Sequence, residues 1–131
     1  LVEVFVGIGL VLDSGSSYFL PKLVGSNKAF ELATMGTKVS ASQAVSWGMI
    51  NKAVPSEELD DAILQVTNYY ANAPTKAIGM IKKMLNDSGN KTLEEVLDYE
   101  AYYQDIAGNS SDYAEGVNAF LEKRKPVFKG Q

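Results

Sequence analysis

The sequence predicts a mainly α-helical fold with a short extended segment at its start. Three observations carry that expectation. Two capping boxes, "SASQ" at 40–43 and "TLEE" at 92–95, each pair a hydroxyl N-cap with a Gln or Glu three residues on. An apolar stripe runs through Leu59, Ile63, Val66, Tyr70 and Ala73, steps of four, three, four and three residues that line one face of a helix. Strand-like composition is confined to "LVEVFV" at 1–6.

Each element follows in order. Residues 1–6 read as a short strand or buried extended segment, since β-branched and aromatic residues suit a pleated surface; Gly7 and Gly9 then break it. A helix is expected over Ser14–Leu23, with Pro21 ending or bending it. Ser26 is expected to cap a second short helix that carries Ala29, Leu32 and Ala33 on one side and stops at Gly36. Ser40 and Gln43 open "ASQAVSWG", with Gly48 placed for a left-handed C-terminal residue. "MINKAV" at 49–54 reads as a short extended stretch ended by Pro55, after which Ser56 caps the striped helix. Pro74 fits the first turn of the next helix, which carries Ile78, Ile81 and Leu85 and ends at "DSGN". Thr92 opens a helix with Val96, Tyr99, Tyr103 and Ile106 on one face. "GNSSD" breaks that helix, and Tyr113, Val117, Phe120 and Leu121 mark the last. The tail "EKRKPVFKGQ" is basic around Val127 and Phe128.

Composition bounds the function. At 131 residues one domain with its own core is expected across 1–131. A net charge of -4 argues against a nucleic-acid surface, which carries a basic excess. The absence of Cys removes disulfides and thiolate chemistry and fits the cytoplasm, and the absence of His removes the usual zinc ligand sets, so no metal site is expected. No apolar run approaches the roughly 18 residues of a membrane span, so no membrane partner is expected. The start lacks a basic n-region and a cleavage site, which speaks against a signal peptide. It also lacks an initiator Met and opens inside an apolar element, so the chain is expected to be a segment of a longer protein.

Candidate chemistry centres on Asp13 in "GIGLVLDSGSS". Asp is a favoured N-cap and Asp-Ser-Gly is ordinary turn chemistry, which gives it a structural reading. A catalytic carboxylate needs apolar surroundings and a substrate proton within reach, and "GIGLVL" can supply the former. Local sequence leaves both open. "GSNK" and "DSGSS" lack the full phosphate-loop pattern. In the tail, Phe128 stands among Lys123, Arg124, Lys125 and Lys129, where a ring can stack on a base while cations meet phosphates; a plug for the last helix is the structural alternative. "DYEAYY" at 98–103 and Trp47 read as packing.

Taken together, "IGLVLDSGSSYFLPKLVG", "AFELATMGTKVSASQAVSWGMINKAV" and "YAEGVNAFLEKRKPVFKG" resemble, in order and along nearly the whole chain, the C-terminal half of the crotonase (enoyl-CoA hydratase/isomerase) superfamily. The resemblance is strongest to its epoxyphenylacetyl-CoA isomerase group, which carries G-L-V-P-D-S-G-G where this chain has "GLVLDSGS". It implies the helical part of a crotonase-like α/β fold of ββα turns. Residues 1–25 would form an active-site strand, loop and helix, and residues 26–131 a helical region that supports trimerisation and covers the acyl group.

By that resemblance the family stabilises a thioester enolate with two backbone N–H groups, both in the half that this chain does not contain. Aligning the glycines puts Phe5 where family hydratases carry one of two catalytic glutamates, which disfavours addition of water. Asp13 falls where the epoxyphenylacetyl-CoA isomerases, the dienoyl-CoA isomerases and a chlorobenzoyl-CoA dehalogenase carry a catalytic aspartate. Lys125, Phe128 and Lys129 fall near the adenine end of CoA, often in a site shared with a neighbouring subunit. Leu12, Ser16 and Lys22 stand where the family has Pro, Gly and Arg. The resemblance implies a cytoplasmic acyl-CoA isomerase of phenylacetate or fatty-acid degradation, with Asp13 as acid and base, an acyl-CoA substrate, no cofactor beyond its CoA moiety, and a homotrimer or hexamer. A hydratase, a dehalogenase using Asp13 as nucleophile, and a non-catalytic helical oligomerisation segment are the alternatives.

Overall fold

The computed structural model describes residues 1–131, which form seven α-helices and two short 3₁₀ turns and no strand. The helices are α1 (Ser16–Val24), α2 (Ser26–Met35), α3 (Ala41–Ser46), α4 (Leu59–Ala71), α5 (Thr75–Ser88), α6 (Leu93–Gly108) and α7 (Ser111–Leu121). The chain separates into two compact units, Leu1–Glu58 and Leu59–Gln131. The sequence placed everything in one domain, with an internal boundary after residue 25. Within the first unit α1 packs directly on α2, and both share one core.

The core of the first unit is Leu20, Ala29, Leu32, Val39 and Ala44, with Val24, Trp47 and Met49 packed against it. Gly25 alone links α1 to α2: its N–H donates to the Pro21 carbonyl 2.9 Å away, and its own carbonyl accepts from the Ala29 amide at 3.0 Å. A one-residue link that caps both helices needs φ 77°, a conformation suited to glycine. Ser26 is therefore the first helical residue rather than the expected cap. Pro21 lies within α1 without ending it. The first capping box forms in both directions, with the Gln43 amide 3.2 Å from Ser40 Oγ and the Ser40 amide 2.9 Å from Gln43 Oε1.

The start differs from expectation. Phe5–Ile8 form a 3₁₀ turn closed by Gly9, and only Leu1 keeps an extended pairing, exchanging hydrogen bonds with Val39 at 2.9 and 2.8 Å. Strand preference is a preference for a pleated, half-buried surface. Here Val2, Val4 and Val6 are exposed with no neighbouring strand, so the chain folds back locally. Residues 49–54 likewise form no strand, and Ser56 opens a 3₁₀ turn, Ser56–Glu58, instead of capping α4. The Pro55 carbonyl takes the Glu58 amide at 3.0 Å.

In the second unit α5 packs on α6 and α6 on α7. The second capping box forms as expected, with Glu95 N 3.2 Å from Thr92 Oγ1 and Thr92 N 2.7 Å from Glu95 Oε2. Ala73 and Ala119 are the buried apolar residues of this unit, whereas Leu59, Ile63, Val66 and Tyr70 of the α4 stripe stay about half exposed. No helix is long and apolar enough to cross a membrane.

Candidate active site and the carboxyl-terminal tail

Asp13 sits between the 3₁₀ turn and α1. Ser14 at φ 51° and Gly15 at φ 85° follow it, two consecutive left-handed residues. They lengthen the entry into the helix, so the N-cap falls to Gly15, two residues past Asp13, with no side-chain cap. Only the Asp13 carbonyl joins the turn, accepting the Ser16 amide at 2.8 Å. The carboxylate is exposed and makes no hydrogen bond or ion pair. The capping role open to Asp13 from local sequence is not taken.

Ser14 is one of two non-glycine residues with positive φ, a conformation that crowds its Cβ and that functional turns frequently store. Ser16 is the first residue of α1 and has no positive φ, so its replacement of a family glycine demands no special backbone. Lys22, where the family has Arg, places its ammonium 3.7 Å from the centroid of the Tyr18 ring. Phe5 is half-buried in the 3₁₀ turn.

The second unit brings Lys125, Phe128 and Lys129 onto one tail that runs back along α7. The turn out of α7 is a Schellman motif, with Arg124 N bonded to Ala119 O at 3.0 Å and Lys123 N to Phe120 O at 3.2 Å. Lys123 occupies its left-handed position at φ 54°, where glycine is usual. Phe128 is half-buried against Gly116, whose missing side chain makes room: a Cβ there would lie 3.5 Å from the ring. The ring also lines an open apolar groove of about 430 Å³ with Pro74, Ala77 and Phe120. Lys125 and Lys129 are exposed, and neither ammonium is in an ion pair.

Two carboxylates of α7 hold this tail, and sequence reasoning singled out neither. Asp112, only 5% exposed, accepts the Lys129 amide on Oδ1 at 2.7 Å and the Gly130 amide on Oδ2 at 2.8 Å. Glu115 accepts the Val127 amide at 2.7 Å and pairs with Arg124. These bonds hold the Glu115 carboxyl down at about 2, the Arg124 guanidinium contributing most and the Val127 amide next. The signal available in sequence was a pair of carboxylates at i, i+3 on the last helix, facing a basic tail within return distance.

A model of the enoyl-CoA hydratase/isomerase family matches residues 3–131. The chain is 43% identical over 130 residues to 1,2-epoxyphenylacetyl-CoA isomerase of Escherichia coli K12, covering 99% of this chain and 50% of that protein. It is 33% identical over 129 residues to carnitinyl-CoA dehydratase of Salmonella paratyphi B, covering 95% of this chain and 49% of the relative. Its fold superposes with TM-score 0.92 and 36% identity on the crystal structure of a Mycobacterium abscessus protein assigned as an enoyl-CoA hydratase/isomerase, covering 98% of this chain and 49% of that one. The chain spans about half the length of the curated relatives it matches.

Proposed function

We propose an acyl-CoA isomerase, and the premise is that this chain belongs to the enoyl-CoA hydratase/isomerase family, whose model it matches over residues 3–131. The activity is assigned to an enzyme of full family length that carries this sequence. In it, Asp13 removes a proton beside the thioester carbonyl of an unsaturated or epoxide-bearing acyl-CoA. The resulting enolate is held by backbone N–H donors from the other half of the family fold, and Asp13 returns the proton at a different carbon. One carboxylate suffices, because it can reach both carbons across one face of the substrate. The CoA moiety is the carrier, and the step needs no further cofactor. Phe128 stacks on the adenine of CoA, and Lys125 or Lys129 meets a CoA phosphate. The exposed apolar residues of α4 support a homotrimer or hexamer. The cytoplasm and phenylacetate or fatty-acid degradation complete the reading.

The observation that carries this proposal is that Asp13 is released from capping and stands exposed on a turn with two left-handed residues. The identity to an epoxyphenylacetyl-CoA isomerase supports isomerisation. Phe5, which cannot act as acid or base, at the position of a family hydratase glutamate counts against addition of water. The test is Asp13→Asn in the full-length enzyme. Asn keeps the shape but takes no proton, so isomerisation should fall by about a hundredfold or more while acyl-CoA affinity persists. Turnover within a few-fold of wild type would end the proposal, and an isolable ester on Asp13 would favour the dehalogenase.

A further inference from the structure

We propose that Asp112 and Glu115 are positioning residues for the CoA-facing tail: their carboxylates grip the backbone on both sides of Phe128, so that Lys125, Phe128 and Lys129 form one prearranged surface. This rests on the reading of the tail as the adenine-end site.

The argument begins with what each carboxylate spends its oxygens on. A buried carboxylate is costly unless its lone pairs are satisfied. Asp112 satisfies them with two successive backbone amides, 17 and 18 residues further along the chain, and with no cation. Its own amide donates to the Gln131 carbonyl at 3.0 Å, and Ser111 Oγ does the same at 3.0 Å. The start of α7 thus holds residues 129–131 by four hydrogen bonds. One turn along, Glu115 takes the Val127 amide on the other side of Phe128. Its bidentate pair with Arg124 fixes the turn from which the tail departs.

The residue between these grips is Phe128, whose ring lies against Gly116 on the same helix. Gly130, at φ 73°, is pressed so closely on the Thr75 hydroxyl that a side chain there has no room. The backbone is held on both sides of Phe128 and one edge of its ring rests on Gly116, while the half-buried ring keeps an open side and the Lys125 and Lys129 ammonium groups are in no ion pair. That is the pattern of a segment whose backbone is fixed so that its side chains can meet a ligand. A prearranged surface binds without the cost of ordering, and loosening it lowers apparent affinity by the fraction of time it is out of place.

The consequence is specific to the part of the substrate that reaches the tail. An acyl-CoA should feel the loss, and the matching acyl-pantetheine thioester, which lacks the adenosine end, should not. The experiment measures KM for both thioesters with the full-length enzyme and its Asp112→Asn, Glu115→Gln and Phe128→Ala variants. Asp112→Asn places an amide donor against a backbone N–H, and Glu115→Gln weakens the bonds to the Val127 amide and to Arg124 at once. Each should raise the ratio of KM for acyl-CoA to KM for acyl-pantetheine by about three- to tenfold, with Phe128→Ala raising it as much or more. A raised ratio for Phe128→Ala with a wild-type ratio for both carboxylate variants overturns the positioning role and leaves the adenine-end site standing. An unchanged ratio for Phe128→Ala overturns the adenine-end site and the positioning role with it. Equal losses with both thioesters mean a purely structural role and also overturn the proposal. If Asp112→Asn does not fold, the partly exposed Glu115→Gln alone decides.

Discussion

Glu115 and Arg124 form a two-pronged ion pair across the turn that ends α7, with Nη1 2.6 Å from Oε1 and Nη2 2.8 Å from Oε2. The pair is partly open to water, with side-chain exposures of 24% and 39%, so solvent screens it. It still matters, because Oε1 also holds the Val127 amide, and together these hold the carboxyl at about 2 instead of the ordinary 4.5. A depressed carboxylate contributes stability that is fully present above its unfolded value and is lost as pH falls through its folded one. Urea midpoints of the wild type and Glu115→Gln should therefore differ at pH 7 and converge as pH drops from about 4.5 towards about 2. A constant gap across that range would show that the carboxylate charge is not what holds the turn.

Lys123 should be replaceable to advantage. It fills the left-handed position of the Schellman turn at φ 54°, where its Cβ is crowded and glycine would not be. Lys123→Gly should stabilise the protein by about 0.5–1 kcal/mol, the relief being partly offset by the greater freedom of glycine in the unfolded chain. Thermal unfolding measures this directly, and a lower midpoint would show that Lys123 contributes more than its backbone.

Local signals were legible and long-range ones were not. Ser40 with Gln43, and Thr92 with Glu95, were readable because both partners lie within four residues and their chemistry admits one arrangement. Gly36 and Gly48 take the left-handed conformations their positions suggest. Ser26 and Ser56 look equally good as caps, but the one-residue link at Gly25 and the 3₁₀ turn after Pro55 displace them. "LVEVFV" misleads because strand preference needs a neighbouring strand, and only Val39 offers a pairing, to Leu1. Asp112 passed as part of a helix break, since nothing local reveals that amides 17 and 18 residues away will close on it. For Asp13 the residue was legible and its freedom from capping was not, because that depends on the φ angles of Ser14 and Gly15.

The second capping box should carry a measurable share of helix stability. Thr92→Ala removes the acceptor for the Glu95 amide and should cost about 1 kcal/mol. The Glu95 carboxyl lies below its usual range first because it accepts the Thr92 amide and second because of the Thr92 hydroxyl. Thr92→Ala removes only the second, so an NMR titration of Glu95 should move part of the way back towards 4.5. No movement would mean that the amide alone sets its acidity.

Tyr99 supplies the last test, one of α5 against α6. Its hydroxyl donates to Asp87 Oδ2 at 2.7 Å and stands 3.5 Å from the Tyr103 hydroxyl. The phenol is pushed up, by the neighbouring Tyr103 hydroxyl first and Asp87 second, so it stays a donor throughout the physiological range. The Asp87 carboxyl is pulled down, chiefly by that phenol and then by Lys83, whose ammonium is 3.4 Å away. Tyr99→Phe keeps the ring, its T-shaped contact with Tyr103 at 4.9 Å between centroids, and the nearby Lys91, and removes only the hydroxyl. Asp87 is reachable by water, so solvent screens the bond and its loss should lower stability only modestly. Asp87 should titrate closer to its ordinary value in Tyr99→Phe, and the acid-side loss of stability should shift upward with it, since the depressed carboxylate contributes only while it is ionised. If Asp87 titrates identically in both proteins, Lys83 rather than the phenol holds it, and Tyr99 serves the helix pair by packing alone.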